Sequence, residues 1–181
     1  MHRVAFLGSS GVGKTTLMLS HLANAFRRAR RETIGVDIFA WNDLQLWDTA
    51  GCAEFEAIEE VTTRNAAIIV LAYADAASFV EVQTRWYPRA CRERDKVESA
   101  GFTRSRLVLV SMQSDKYGGD EENLDVMHEA YAHSIGAEYT SVTATTHASR
   151  RAFFRLLEWL VGEKSNLPTT LADETAWKRQ G

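Results

Sequence analysis

Residues 8–16 read Gly8-Ser9-Ser10-Gly11-Val12-Gly13-Lys14-Thr15-Thr16 and satisfy G-x-x-x-x-G-K-[ST] at every fixed position. In front of them Val4-Ala5-Phe6-Leu7 is a short apolar run of strand type. Behind them Leu17, Met18, Leu19 and Leu22 recur at helical spacing. A glycine-rich turn between a strand and a helix is the context of a phosphate-binding loop. Its glycines let the backbone wrap an anion, which then faces the N–H groups of Ser10, Gly11, Val12, Gly13, Lys14, Thr15 and Thr16 and the positive end of the helix. Lys14 is expected to reach the β- and γ-phosphates, and Thr15 to offer its hydroxyl to Mg²⁺.

Outward from the loop, strand and helix signals alternate. Apolar runs at 4–7, 66–74 and 107–110 are separated by amphipathic stretches of helical length at 76–97, 121–135 and 147–161, the pattern of a parallel sheet covered by helices. The stretch Ala67–Ala72 is apolar at every position, as in a strand buried on both faces. Val36–Trp41 and Leu44–Trp47 are separated only by Asn42-Asp43, which predicts a tight antiparallel hairpin at the sheet edge. The expected fold is a three-layer α/β domain over 1–162, mostly parallel with one antiparallel edge hairpin. A flexible tail is expected over 163–181, where Lys164-Ser165-Asn166 and Pro168-Thr169-Thr170 break the helical pattern.

At 181 residues the chain suits one such domain. A net charge of −3 gives no global attraction to nucleic acid or to a membrane surface, so an electrostatic partner has to be recruited locally. Cys52 and Cys91 are too few for a disulfide framework and fit a reducing cytosol, and the apolar run Ala66–Ala74 is too short to cross a bilayer. Arg27, Arg28, Arg30 and Arg31 form a local basic cluster whose plain reading is a solvated loop. Trp86, Tyr87, Phe153, Phe154 and Trp159 read as core residues.

Beyond the loop, Thr33-Ile34-Gly35-Val36-Asp37 and Trp47-Asp48-Thr49-Ala50-Gly51 follow in order. With these motifs the chain resembles a small GTPase of the Ras superfamily, on its Rab-like branch. The resemblance implies the P-loop NTPase fold, GTP or GDP with Mg²⁺ as ligands, and a switch in vesicle or intraflagellar transport. It places Thr33 and Asp48 beside Thr15 as metal-holding residues, Asp48 through water, and puts the Gly51 N–H at the γ-phosphate. It also assigns Phe26 to the edge of the guanine base, Asp115 to the base N1 and N2 donors, and the backbone at Ser141 and Val142 to the guanine oxygen. Implied partners are an effector or complex-forming protein bound through the switch regions and Trp47, an exchange factor and a GTPase-activating protein.

Several positions depart from that pattern. Cys52 stands where the family has the Gln that orients water, and a thiol positions water poorly, so weak, slow GTP hydrolysis is expected. Met112-Gln113-Ser114-Asp115 replaces Asn-Lys-x-Asp: Asp115 keeps the carboxylate, Met112 loses the amide, and Gln113 retains only a shorter stem to lie over the base, which predicts a weakened guanine preference. The alternative is a nucleotide-holding structural subunit, which Cys52 and Met112 favour. Thr33 to Asp48 is shorter than usual, Ile38 and Thr62 replace two of the three aromatic partner-binding positions, and Arg92 to Arg106 reads as an insertion before the strand at 107. The closing Ala176–Gly181 holds no cysteine for prenylation. A cytoplasmic protein without its own membrane anchor, recruited to a membrane or cilium by partners, is the expectation.

Overall fold

β4 (Ile68–Tyr73) is apolar at all six positions, and the sheet explains why, since the strand is buried on both faces. The computed structural model describes residues 1–29, 31–99, 104–112 and 121–162. In chain order these form β1 (His2–Leu7), α1 (Lys14–Leu22), β2 (Val36–Trp41), β3 (Leu44–Thr49), α2 (Glu56–Thr63), β4, α3 (Ala76–Glu81), a π-helical turn (Val82–Trp86), α4 (Tyr87–Ser99), β5 (Arg106–Met112), α5 (Glu121–Ser134), β6 (Ala137–Val142) and α6 (His147–Gly162). The six strands lie in the order β2-β3-β1-β4-β5-β6. Among the described strands only β2 and β3 pair antiparallel, and Trp41 opposite Leu44 closes their hairpin at Asn42-Asp43, with Asn42 at φ 49°. This is the Ras-like three-layer fold expected, with its antiparallel edge in place.

The side-chain alternation of the strands separates two cores. Val4, Phe6, Leu46, Ile68, Val70 and Val108 pack on one face with Leu17, Phe153, Phe154 and Leu157 of α1 and α6. Ala5, Leu7, Ile69, Leu71, Leu107 and Leu109 pack on the other with Phe79, Val82, Trp86 and Ala132. Trp86, Phe153 and Phe154 are core as read, but Trp159 is 42% exposed on the outer face of α6, and that expectation is corrected.

The helical stretch expected over 76–97 runs to Ser99 and contains the π turn. Asp75 and Ser78 start it with reciprocal caps, Ser78 N–H to Asp75 Oδ1 at 2.8 Å and Asp75 N–H to Ser78 Oγ at 2.9 Å. Pro88 then follows within the first turn of α4. A proline lacks the N–H for an i−4 bond and crowds the carbonyl there, and the wider π turn just before it relieves that crowding. Residues 92–99, read as part of an insertion, are thus helical.

On the α1 and α6 side His21 stacks on Phe154, with ring centroids 3.8 Å apart, and meets Trp41 edge-on at 4.7 Å. Burial, with Arg150 and His147 adding to it, pushes the His21 pKa from 6.5 down to about 4. The folded imidazole therefore takes up a proton less readily than the unfolded one. Its contribution to stability is complete above pH 6.5 and is lost as pH falls toward 4. Discounted for partial exposure this is roughly 1 kcal/mol, or about 2–4 °C in Tm. Melting curves across that range should show a shallower decline for His21→Phe, and an identical decline would refute the assignment.

Candidate functional site

The carboxyl ends of β1 and β3 carry the site, because each strand delivers its polar residues just beyond the buried run. β1 ends at Leu7 and opens into the loop of residues 8–13, and α1 begins at Lys14 with Gly13 at φ 107°. Lys14 is buried, and its ammonium donates to the carbonyls of Gly8 at 2.6 Å and Ser9 at 3.0 Å. At the start of α1, Thr15 Oγ1 lies 3.0 Å from Thr33 Oγ1. Both hydroxyls donate to Asp48 Oδ2, Thr15 at 2.5 Å and Thr33 at 3.2 Å.

Asp48 is fully buried, and its other oxygen, Oδ1, has no hydrogen-bond partner among the described residues. Burial pushes the carboxyl above its ordinary pKa, against the pull of the Thr15 bond, the Lys14 charge and the Thr33 bond. A buried carboxylate with an idle oxygen beside two hydroxyls is a hard, oxygen-only donor set, the kind that suits Mg²⁺. Thr15, Thr33 and Asp48 fit that ion. When bound it would supply charge neutralisation for a polyphosphate.

Of the other expected residues, Gly51, Ser10 and Thr16 make contacts around this centre. Gly51 has φ 76°, and a Cβ there would lie 2.3 Å from the Gly8 oxygen and 2.8 Å from the Ser10 nitrogen. The segment after β3 therefore rests directly on the loop. Cys52 follows it, half-buried and unpaired. Ser10 Oγ reaches Glu32 Oε1 at 3.5 Å across the mouth. The segment bearing Phe26 is tied to α1, because Arg27 N–H donates to Ser20 Oγ at 2.8 Å and Ala29 N–H to Thr16 Oγ1 at 3.2 Å. Phe26 itself is 51% exposed, and Arg27, Arg28 and Arg31 are exposed beside it. Ser141 stands exposed at the end of β6, while Val142 is buried opposite Met112 and offers only its backbone. Asp115, Arg30 and the tail expected over 163–181 lie outside the described residues.

Sequence reasoning missed three residues that touch the loop: Glu32, which accepts from Ser10, and two on the helical stretch after β4. Glu81 accepts from Ser9 Oγ at 2.5 Å, and Trp86 Nε1 donates to the same oxygen at 3.4 Å. Neither belongs to a motif. A sequence signal that could have helped to locate them is the Asp75 and Ser78 capping pair, which fixes where that helix starts.

The surface expected to meet partners is partly covered. Arg3 lies over the Trp47 ring at 3.9 Å and donates to the carbonyls of Val61 at 3.1 Å and Arg64 at 2.7 Å, satisfying the end of α2. Of the three positions singled out, Ile38 is 53% exposed, Trp47 half-buried and Thr62 fully buried. Among the described residues no helix is long and apolar enough to cross a membrane.

Comparison with known proteins agrees with this arrangement. The family model described as Ras family matches residues 3–162. The chain is similar to the Ras-related protein Rab-36 of Homo sapiens, 32% identical over 92% of this chain and 64% of that protein. It is also similar to the Ras-related protein Rab-34 of Rattus norvegicus, 30% identical over 84% of this chain and 60% of that protein. The GTP-binding protein rho3 of Schizosaccharomyces pombe is 30% identical over 68% of this chain. The chain thus spans less than two thirds of the length of these relatives.

Proposed function

Because the chain belongs to the Ras family of small GTPases, in which guanine-nucleotide binding is implied by membership, we propose that it is a Mg²⁺-dependent GTP/GDP switch with slow hydrolysis of its own. The convergence of Thr15, Thr33 and the idle oxygen of buried Asp48 beside the phosphate loop carries this reading. Lys14 would bind and neutralise the phosphates, and the loop N–H groups would orient them. Thr33 and Gly51 stand on separate segments, each resting on the site. Loss of the terminal phosphate would release both segments and change the surface formed by β2, β3 and α2.

On that surface Ile38, Trp47 and Arg3 would meet an effector. An exchange factor and an activating protein are proposed with it. A role in intracellular transport belongs to the same proposal and rests on the likeness to the Rab proteins.

Cys52 supports the slow hydrolysis, since a thiol is a weak acceptor where an amide would orient water. Single-turnover assays of GTP-loaded protein should show Cys52→Gln hydrolysing about tenfold faster than the parent, a gain of about 1.4 kcal/mol in the barrier. No acceleration would place the limit elsewhere in the site. Identification of the nucleotide that co-purifies with the protein tests the function as a whole: a guanine nucleotide is expected, and an adenine nucleotide would reject it.

Met112 favours a second reading, a subunit that holds nucleotide without cycling. Its side chain is buried in the core where the family places a base-reading amide. Turnover measured with and without cell extract separates the two, because a switch is accelerated by a partner.

A further inference from the structure

We propose that Glu81 sets the balance between diphosphate and triphosphate at the phosphate loop, acting through Ser9 as a positioning residue. This rests on the guanine-nucleotide reading above and deepens it. Trp86 is completely buried in the π turn, so its indole N–H is fixed where it donates to Ser9 Oγ at 3.4 Å. The same oxygen donates its proton to Glu81 Oε2 at 2.5 Å. A hydroxyl has one proton, so Ser9 has none left for a phosphate.

The bond also anchors a carboxylate at the loop residue that lies under Gly51. A Cβ on Gly51 would sit 2.8 Å from the Ser9 carbonyl carbon. Gly51 is the position proposed for the γ-phosphate, so Glu81 is held at the end of the loop where a triphosphate carries its extra negative charge. Arg85 and Arg89 lie over the Trp86 ring, 4.2 and 5.6 Å from its centroid, and Glu81 forms no ion pair among the described residues. A like charge at that end costs the triphosphate more than the diphosphate, by an amount that water and salt reduce because Glu81 is exposed.

Affinities for GDP and for a non-hydrolysable GTP analogue, both fluorescently labelled and measured with Mg²⁺, test this in the parent, Glu81→Gln, Ser9→Ala and the double variant. Glu81→Gln keeps an acceptor for Ser9 but loses the charge. It should tighten the analogue about threefold to tenfold relative to GDP, and the gain should shrink at high salt. Ser9→Ala frees Glu81 to solvent and should move the ratio in the same direction, with nothing further in the double variant. An unchanged ratio, or an equal shift for both nucleotides as a merely structural brace would give, overturns the inference and leaves the nucleotide reading standing. A parent protein that binds no guanine nucleotide overturns both.

Discussion

Lys14→Ala is expected to weaken GDP and GTP binding by a hundredfold or more. The ammonium is buried at the start of α1, and its donors already meet the oxygens of Gly8 and Ser9 from within the loop. Its chain is thus oriented before any phosphate arrives, so little side-chain entropy remains to be lost on binding. A charge-assisted bond contributes about 1.5–3 kcal/mol, and two phosphates would give about 3 kcal/mol or more, which is two decades in affinity. The alanine variant has a second defect. After the Thr15 hydrogen bond, the Lys14 charge does most to oppose the upward push of burial on the Asp48 carboxyl. Without it Asp48 is harder to ionise and a poorer partner for a cation, so the dependence of binding on Mg²⁺ should weaken as well. Titration with fluorescent GDP at several Mg²⁺ concentrations reads both effects. Unchanged affinity would remove Lys14 from the site.

The parts of the fold legible in the sequence were those whose signal is local. The G-x-x-x-x-G-K-[ST] run fixed a strand, a turn and a helix together, and the unbroken apolar run before Tyr73 marked a central strand because both of its faces are buried. The two-residue hairpin was legible because only Asn42-Asp43 separates its two strands and Asn42 tolerates a positive φ.

β6 gave no such signal. As an edge strand it is half-buried over Ala137–Thr140, and its Glu138, Thr140 and Ser141 break the apolar run by which β4 and β5 are recognised. α2 was missed for a related reason: Glu56-Ala57-Ile58-Glu59-Glu60 is short and acidic, and it is held by tertiary contacts such as Lys96 to Glu60 at 3.0 Å and Arg3 at its end. In the candidate site, motif residues could be named from spacing alone. Glu81 and Trp86 could not, because their contacts with Ser9 join residues more than seventy positions apart in the chain, and Trp86 sits in the π turn before Pro88.

The glycines of the site separate steric contact from backbone strain, and Gly8→Ala should have the largest effect on stability. Gly8 has φ 150°, and a Cβ there would lie 2.2 Å from the Ala72 oxygen and 3.1 Å from its carbonyl carbon. Those atoms are backbone of β4, the strand at the centre of both cores, and cannot move aside without disturbing the pairing of β4 with β1 and β5. Gly11 is the internal control. Its φ of 81° makes alanine strained, but nothing lies within 4 Å of the added carbon. Gly11→Ala should therefore cost only the strain, about 1–2 kcal/mol. Gly8→Ala adds a backbone clash to comparable strain and should cost about 3 kcal/mol or more, a Tm loss of about 6–12 °C for a chain of this size. Gly51→Ala differs again, because its clash is with Gly8, Ser9 and Ser10 of the loop and not with the sheet. It should leave melting close to that of Gly11→Ala while weakening the response to the terminal phosphate, because residue 51 could no longer approach the loop. Thermal melts of the three variants, each with and without nucleotide, check the order. Equal losses for Gly8→Ala and Gly11→Ala would mean that the contact between the loop and β4 is looser than 2.2 Å implies.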